Sequence, residues 1–278
     1  MSSESICLPE LPMNTPLQWT VLQCDGSDAQ DFLHRQLTAD IGGLAEDRCI
    51  QAGLCLPDGR LIATPVVCWR NSCLQLIVPS DLAPTVLRRL QMFVLRDDVQ
   101  CRATTLHCVV MTPDEAPDAG VVRHQHDSTE LGLAGDSSRG LRLSSNALPD
   151  NAPVDWRTQT IEAGAPMVYA ATSEQLLPQS LRMDQLGGVS FRKGCYPGQE
   201  VIARLHYRGQ LKRLLVRARV VTGRCQPGDD IEVDGRGVGL VVEATAQSAL
   251  AVVHQSALGQ TGQTPDGALV MDAKALQT

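Results

Sequence analysis

Aromatic residues and lysines are scarce in this sequence. Trp, Tyr and Phe contribute three residues each to a chain of 278, and lysine supplies only three of the 24 basic residues. A chain with a net charge of −7 and so little lysine is not a typical bulk nucleic-acid-binding protein. The contents of 43% hydrophobic and 20% charged residues exclude a disordered or collagen-like chain and predict an ordinary globular protein.

Long apolar runs are missing as well. The longest uncharged apolar stretch, residues 61–69, is interrupted by Thr64 and Pro65. It falls well short of the roughly 20 residues of a membrane-spanning helix, so we expect no membrane association. Residues 1–16 have neither a basic start nor an apolar run. We therefore predict no secretory signal and a cytoplasmic location.

Ten cysteines are present, but no two of them form a CxxC pair. Without an export signal we expect reduced thiols that pack as small hydrophobic residues, as Cys68 and Cys108 do in strand-like runs. A structural zinc or iron–sulfur site needs grouped soft ligands. The spacing supplies none, and we predict no metal site.

Apolar periodicity predicts alternating strands and helices. Strands are predicted at 17–24, 50–56, 61–69, 74–78 and 99–111, with Pro57-Asp58-Gly59-Arg60 turning the second into the third. One helix is predicted to begin at a Ser27 cap, another at a Ser80 or Asp81 cap, and a third to span 156–163 with Asp155 as its cap. This order predicts an α+β fold with split-βαβ, ferredoxin-like layers.

The composition changes twice along the chain. Residues 112–129 are rich in Pro, Asp and Gly and predict an inserted surface loop, in which we interpret His124 and His126 as solvent-exposed because no carboxylate accompanies them. After Lys212, short strands separated by turns predict a small β-barrel or sandwich. We place the domain boundary near Gly209. The expected domains are 1–208, with two interleaved α+β modules, and 209–278, the barrel.

Positive charge is concentrated in one segment. Residues 192–219 contain eight basic residues and one acid, a net charge of +7, while the rest of the chain carries −14. Such a segment favours local recognition of something anionic. A solvated strand edge, where basic residues discourage edge pairing, is an equally good interpretation of the charge alone.

The same segment contains a candidate reactive thiol. Cys195 follows a glycine, Pro197-Gly198 predicts a turn, and residues 199–205 have helix-forming composition. A helix amino terminus and the neighbouring Lys193 both favour thiolate over thiol. The alternative is a buried structural thiol beside a solvated lysine. No His and Asp accompany Cys195 to make it a protease-like nucleophile.

The segment also carries a specific family motif. The motif is Lys193-Gly194-Cys195-Tyr196-Pro197-Gly198-Gln199-Glu200, followed by Ala203-Arg204, Tyr207-Arg208-Gly209 and Lys212-Arg213. It closely resembles the signature of the YgfZ proteins, folate-binding relatives of the glycine-cleavage T protein, an aminomethyltransferase. Further matches lie at 26–29, 32–33, 37–40, 161–166, 177–179 and 186–191. Together they extend from about Trp19 to Arg213.

The resemblance implies an aminomethyltransferase-like folate-binding fold and a cytoplasmic protein that binds tetrahydrofolate or a one-carbon derivative. It further implies support of iron–sulfur cluster assembly or repair, with iron–sulfur assembly proteins or client iron–sulfur enzymes as partners, including enzymes that modify tRNA. The motif cysteine of the family corresponds to Cys195. The residues that the family associates with folate correspond to Trp19, Trp156 and Glu162, and cations for the glutamate tail would come from Arg204 or Arg208.

The residues support this assignment on their own chemistry. Folate is flat, aromatic and acidic, so its site needs stacking surfaces, a carboxylate for the pterin donors and a cation for the tail. Trp19 and Trp156 lie in polar sequence contexts, although half-buried packing is as good an interpretation. Glu162 falls in the last turn of its predicted helix, where it opposes the helix dipole. The alternative interpretation of Glu162 is an exposed carboxylate paired with Arg157.

One departure from the aminomethyltransferases bears on function. These enzymes have an acidic residue soon after the hairpin glycine, whereas here residues 59–65 contain no carboxylate. Neither Ala63 nor Thr64 can act as a general base, so a folate-binding accessory protein is favoured over an enzyme. The alternatives are a tetrahydrofolate-dependent one-carbon (aminomethyl) transferase or demethylase, and an interaction protein that has lost its ligand.

Overall fold

The computed structural model describes residues 18–146 and 155–277. Residues 1–16, for which no secretory signal is predicted, and Leu17, the start of the first predicted strand, lie outside the described residues. The helices are α1 (Ala29–Gln36), α2 (Ala83–Phe93), α3 (Trp156–Ala163) and α4 (Gln199–Arg208). The strands are β1 (Trp19–Asp25), β2 (Cys49–Gln51), β3 (Leu54–Cys55), β4 (Leu61–Ala63), β5 (Val66–Arg70), β6 (Cys73–Pro79), β7 (Gln100–Ala103), β8 (His107–Met111), β9 (Val122–His124), β10 (Ser128–Gly132), β11 (Gly140–Ser144), β12 (Arg213–Gly223), β13 (Asp230–Val233), β14 (Arg236–Ala244), β15 (Ser248–His254), β16 (Thr261–Thr264) and β17 (Gly267–Met271).

The first sheet has the strand order β2-β5-β6-β1-β7. β1 is antiparallel to both of its neighbours, β6 and β7, whereas a split βαβ unit would give it a parallel neighbour. β3 and β4 form a separate antiparallel pair joined by the predicted turn at 57–60. The predicted hairpin is therefore present, but each of its long strands is divided in two. The division is caused by Gly53, whose amide donates to Thr38 Oγ1 at 2.7 Å, and by Pro65, which has no amide hydrogen.

Two of the predicted helix caps are wrong. Asp28, rather than Ser27, is the N-cap residue of α1, and Ser27 donates its hydroxyl to Asp98 Oδ2 at 2.9 Å. α2 begins after Leu82, because the Ser80 hydroxyl is bonded to Thr20 and the Asp81 carboxylate accepts from the Ala170 amide. These tertiary partners outcompete the local caps. By contrast, α3 begins and ends as predicted, with Asp155 accepting two backbone N–H groups and Gly164 in the left-handed conformation.

Cys24 and Cys101 form a disulfide, so the expectation of reduced thiols is wrong for this pair. The two residues face each other in the antiparallel pairing of β1 with β7, and their Cα atoms are 4.2 Å apart. A sequence separation of 77 residues gave no sign of this contact. Cys68 is fully buried, as predicted, and Cys108 is half-buried.

A second sheet has the strand order β8-β11-β10-β9. The prediction that residues 112–129 form a loop is wrong where β9 and the start of β10 fall. Val122 is buried, and its amide donates to the Asp47 carbonyl. One buried valine is therefore enough to hold this otherwise polar stretch in a strand. His124 and His126 are exposed, as expected.

The C-terminal strands close into a barrel in the order β12-β15-β14-β13-β16-β17. The predicted α+β architecture with a C-terminal barrel is therefore confirmed. α4 ends at Arg208 and β12 begins at Arg213, and this is where we place the domain boundary. The barrel packs on α3 through Glu243, a fully buried residue of β14 that lies 2.7 Å from Arg157 Nη1 and accepts from the Tyr169 hydroxyl at 2.5 Å.

Candidate functional site

Cys195 is exposed on a turn immediately before α4. The turn ends at Gly198, the N-cap residue of α4, which has a φ of +84°. A Cβ atom at this glycine would lie 2.6 Å from the Gly59 Cα atom of the β3–β4 turn. Gly198 is therefore needed for its backbone conformation and for this close approach. The two turns form one unit, and the thiol lies on its surface.

Lys193 fixes this unit to the end of α1. Its ammonium donates to the backbone carbonyl oxygens of His34, Leu37 and Ala39, the last two at 2.6 and 2.8 Å. An ammonium has three donors, and all three are used. Burial lowers the pKa of Lys193 to about 8. Lys193 therefore has no donor left for a hydrogen bond to Cys195, and the stabilisation of the thiolate by the neighbouring ammonium stays a prediction. Lys193 is here a positioning residue.

Tyr196 anchors the turn in the core. Its side chain is 6% exposed, and its ring lies 5.1 Å from the Lys193 ammonium. Burial raises the pKa of Tyr196, and its hydroxyl has no hydrogen-bond partner among the described residues. The remaining motif residues are less constrained. No atom lies within 4 Å of a Cβ built on Gly194, Gln199 is half-buried, and Glu200 is exposed in the first turn of α4, where its charge favours the helix.

The two predicted folate tryptophans contact each other. Trp19 and Trp156 are in edge-to-face contact with ring centroids 4.9 Å apart. Trp156 is only 3% exposed, whereas Trp19 is half-buried. Both indole N–H groups are buried without a hydrogen-bond acceptor among the described residues. Burial, together with the neighbouring Glu243, raises the pKa of the Tyr169 hydroxyl well above its ordinary value.

Arg139, which the sequence analysis missed, lies against this pair. It is fully buried, and its guanidinium carbon is 5.2 Å from the centre of the Trp156 ring. It donates to the Ala134 carbonyl at 3.2 Å and has longer contacts with Thr160 and Gln51, both at 3.4 Å. Burial lowers its pKa to about 10. No carboxylate of the described chain forms an ion pair with it. A single arginine in the polar run Ser137-Ser138-Arg139-Gly140 gives no sequence signal for such a position.

Glu162 is exposed near the end of α3. Its backbone carbonyl accepts from Arg217 at 2.7 Å, and Arg217 and Arg182 both bind Asp136 at 3.0 Å. Arg157, which the sequence offered as a partner of Glu162, is paired with Glu243 instead. The carboxylate of Glu162 has no ion-pair partner in residues 18–146 and 155–277.

The predicted site residues fall in separate places. Tyr196, next to Cys195, packs in the largest hydrophobic cluster, whereas Trp156 packs in a second cluster with the second sheet. A cavity of about 250 Å³ lies between the β3–β4 turn and the barrel. It is lined by Arg60, Gln175, Arg213, Asp230, Gly237, Gly239 and Leu240. Because Arg60 follows Gly59, which contacts the cysteine turn, this cavity adjoins the unit that carries the thiol.

Arg204 and Arg208 are exposed on α4 and form no ion pair with any carboxylate of the described chain. Residues 18–146 and 155–277 also contain no cluster of three or more metal-ligating side chains. None of their helices is long and apolar enough to span a membrane.

The structure resembles a known enzyme fold. The glycine cleavage system aminomethyltransferase T from Bartonella henselae matches 91% of this chain and 82% of that chain, with a TM-score of 0.66 and 14% sequence identity. At this identity the likeness shows the fold alone. It confirms the predicted aminomethyltransferase-like fold.

Comparison with known protein sequences identifies the family of this chain. No protein-family model matches the chain. The tRNA-modifying protein YgfZ of Klebsiella pneumoniae (strain 342) is 30% identical over 83% of this chain and 78% of its own length. The protein of the same name from Sodalis glossinidius is 28% identical over 84% of this chain and 82% of its own length. The chain belongs to the YgfZ family.

Proposed function

We propose that this protein is a tetrahydrofolate-binding accessory factor. It supports iron–sulfur cluster assembly or repair and, through iron–sulfur enzymes, tRNA modification, and the Cys195 thiol is its reacting group. The observation that carries this proposal is the exposed thiol on a turn held in place by Gly198 and Lys193. The relatives named tRNA-modifying proteins support the tRNA part of the role.

Several features fit a folate. Arg60 and Arg213 line the cavity beside the cysteine turn and are suited to the acidic tail of the ligand. Glu162, which forms no ion pair within residues 18–146 and 155–277, offers a carboxylate to the pterin donors. Trp19 is half-buried and can present a ring to the pterin, whereas Trp156 is buried behind it. We assign Trp19 to ligand contact and Trp156 to holding Trp19 in place.

The residues after the β3–β4 turn do not favour the one-carbon transferase or demethylase. Ala63 and Thr64 are fully buried, and the Thr64 hydroxyl accepts from the Val168 amide at 2.9 Å. This position offers no carboxylate and no free hydroxyl to a substrate. An accessory role for bound folate is therefore the better supported function.

Folate binding is tested by titrating tetrahydrofolate against intrinsic tryptophan fluorescence. The chain has three tryptophans, so the Trp19→Phe/Trp156→Phe variant reports Trp69 alone, and Trp69→Phe is the matched control. We expect strong quenching in the wild type and in Trp69→Phe, and little in the double variant. Equal quenching in the double variant would place the ligand elsewhere, and no quenching in the wild type would refute folate binding.

The role of the thiol is tested by complementation. Bacterial cells that lack their own YgfZ protein receive the wild type, Cys195→Ser or Cys73→Ser, and iron–sulfur-dependent tRNA modifications are measured by mass spectrometry. Cys73 is a half-exposed cysteine outside the motif, so its variant should function like the wild type. We expect Cys195→Ser to fail although it folds normally. Full activity of Cys195→Ser would remove the thiol from the function.

A further inference from the structure

The C-terminal half of α4 presents an unusual surface. Arg204, Tyr207 and Arg208 are spaced i, i+3 and i+4, so they lie on one side of the helix. All three are exposed, and Tyr207 is 65% exposed. Ile202 is the one fully buried residue of α4. This side of the helix is therefore open to a partner.

Two more rings adjoin Tyr207, around the helix from the two arginines. Phe191 stacks on His206 with ring centroids 3.8 Å apart and an interplanar angle of 14°. Tyr207 meets His206 edge-on at 4.8 Å. We call Arg204, Tyr207, Arg208 and the Phe191–His206 stack the α4 face. Phe191 is half-buried against the main hydrophobic cluster, whereas Tyr207, one of only nine Trp, Tyr and Phe residues in the chain, is left exposed.

The charge of the α4 face is not neutralised within the described chain. Arg204 and Arg208, together with the exposed Arg192 and Lys212 nearby in sequence, form no ion pair in residues 18–146 and 155–277. A cation near the end of α4 stabilises the helix dipole, and this interaction accounts for Arg208. It does not account for Arg204 in the middle of the helix or for the exposed ring of Tyr207.

We infer that the α4 face binds a short unpaired stretch of RNA. Arginines contact phosphates, and aromatic side chains and guanidinium groups stack on unpaired bases. An acidic peptide would satisfy the charges but would leave the rings without a partner. A long duplex would bring its phosphates against the rest of the molecule, which carries −14, so a short local contact is favoured. This inference goes beyond the folate-binding proposal.

The thiol lies within reach of such a strand. Cys195 is four positions after Phe191 of the stack, so their Cα atoms are at most about 14 Å apart. RNA on the α4 face would therefore pass near the exposed sulfur atom. The arrangement places the binding surface and the candidate reacting group on adjacent parts of one segment.

Binding is measured by fluorescence anisotropy with a labelled, unstructured 12-nucleotide RNA, in the absence of folate and over a range of salt concentrations. We expect affinity that falls with salt. The Arg204→Ala/Arg208→Ala variant should weaken binding at least tenfold and reduce the slope of log K against log salt by about 1.4, since each phosphate contact on a single strand contributes roughly 0.7. Tyr207→Ala should weaken binding about tenfold, and Tyr207→Phe should bind like the wild type.

The control is Arg88→Ala/Arg96→Ala, which removes the same charge from two exposed arginines outside the segment. This variant should bind RNA within about twofold of the wild type, because substitutions outside the α4 face should act independently of the contacts made there. Loss of binding in this control to the same extent, or no RNA binding by the wild type, would overturn the inference. A poly-glutamate peptide that competes as well as RNA, with no effect of Tyr207→Ala, would assign the face to an acidic protein instead. Because no folate is present, failure here leaves the tetrahydrofolate titration unaffected.

Discussion

α3 and α4 are short helices of similar length in very different surroundings. Five of the eight residues of α3 are buried, whereas α4 buries Ile202 alone among ten. Arg157 of α3 is paired with the buried Glu243 of the barrel. The arginines on the exposed side of α4 have no such carboxylates among the described residues. α3 is thus a joint that holds the barrel, and α4 is a surface that remains available to other molecules.

The contrast extends to the two candidate sites. The tryptophan pair is built into the core beside α3, and both of its indole N–H groups lack a hydrogen-bond acceptor among the described residues. The Cys195 turn precedes α4 and is attached at its base by Tyr196, Gly198 and Lys193, while the thiol itself is exposed. A rigid base with an accessible reacting group is what a functional loop requires. Substitutions in the two regions should therefore have different consequences for stability.

The largest effect on stability is expected where α3 packs on the barrel. Arg157→Ala leaves the fully buried Glu243 without its cation. Removing one partner of a buried ion pair costs roughly 3–5 kcal/mol in the free energy of unfolding. We expect a loss of about 3 kcal/mol, at the lower end, because the Arg157 side chain is 29% exposed. The measurement is chemical unfolding at pH 7. Arg204→Ala on α4 is the control and should change stability by less than about 0.5 kcal/mol. Similar losses in the two variants would abolish the distinction between the helices.

A smaller effect is expected at the base of the cysteine turn. Gly198→Ala introduces a Cβ at a φ of +84° and 2.6 Å from the Gly59 Cα atom, so we expect a loss of about 2 kcal/mol. Gly194→Ala adds a methyl group with no atom within 4 Å and should be neutral for stability. Thermal and chemical unfolding of both variants provide the check. If Gly198→Ala left the free energy of unfolding unchanged, the β3–β4 turn and the turn before α4 would not form one unit.

The smallest effect is expected at the carboxyl end of α3. Hydrogen bonds from Arg182 and then Arg217 hold the pKa of Asp136 below its usual value of 3.8. The resulting stabilisation is present above pH 3.8 and is lost as the pH falls through the lower folded-state pKa. Because the Asp136 side chain is 39% exposed, Asp136→Asn should lose only about 1 kcal/mol at pH 7.

The difference between Asp136→Asn and the wild type should shrink between pH 4 and pH 2, as measured by urea unfolding. Asp127→Asn, a change at an exposed aspartate, serves as the control and should show no comparable pH-dependent difference. A loss for Asp136→Asn that is the same at every pH would show that the carboxylate charge is not what stabilises this end of α3.

Local patterns predicted the parts of the fold that depend on neighbouring residues. The Asp155 cap and the Gly164 end of α3, the turn at 57–60 and the helix after Gly198 are all set by short-range backbone chemistry, and each is present. The caps of α1 and α2 were wrong because Ser27, Ser80 and Asp81 find partners distant in sequence. The β9 strand was missed because a single buried valine decides its pairing.

The motif around Cys195 was specific enough to indicate the family and the thiol from the sequence alone, since its residue types and spacing recur as a unit. Only the tertiary structure decided what surrounds each group. It brought Cys24 opposite Cys101, buried Arg139 against Trp156, and directed all three donors of Lys193 to the end of α1. These contacts join residues far apart in the chain, and the free energy of burial and hydrogen bonding at such contacts depends on packing that no local pattern records.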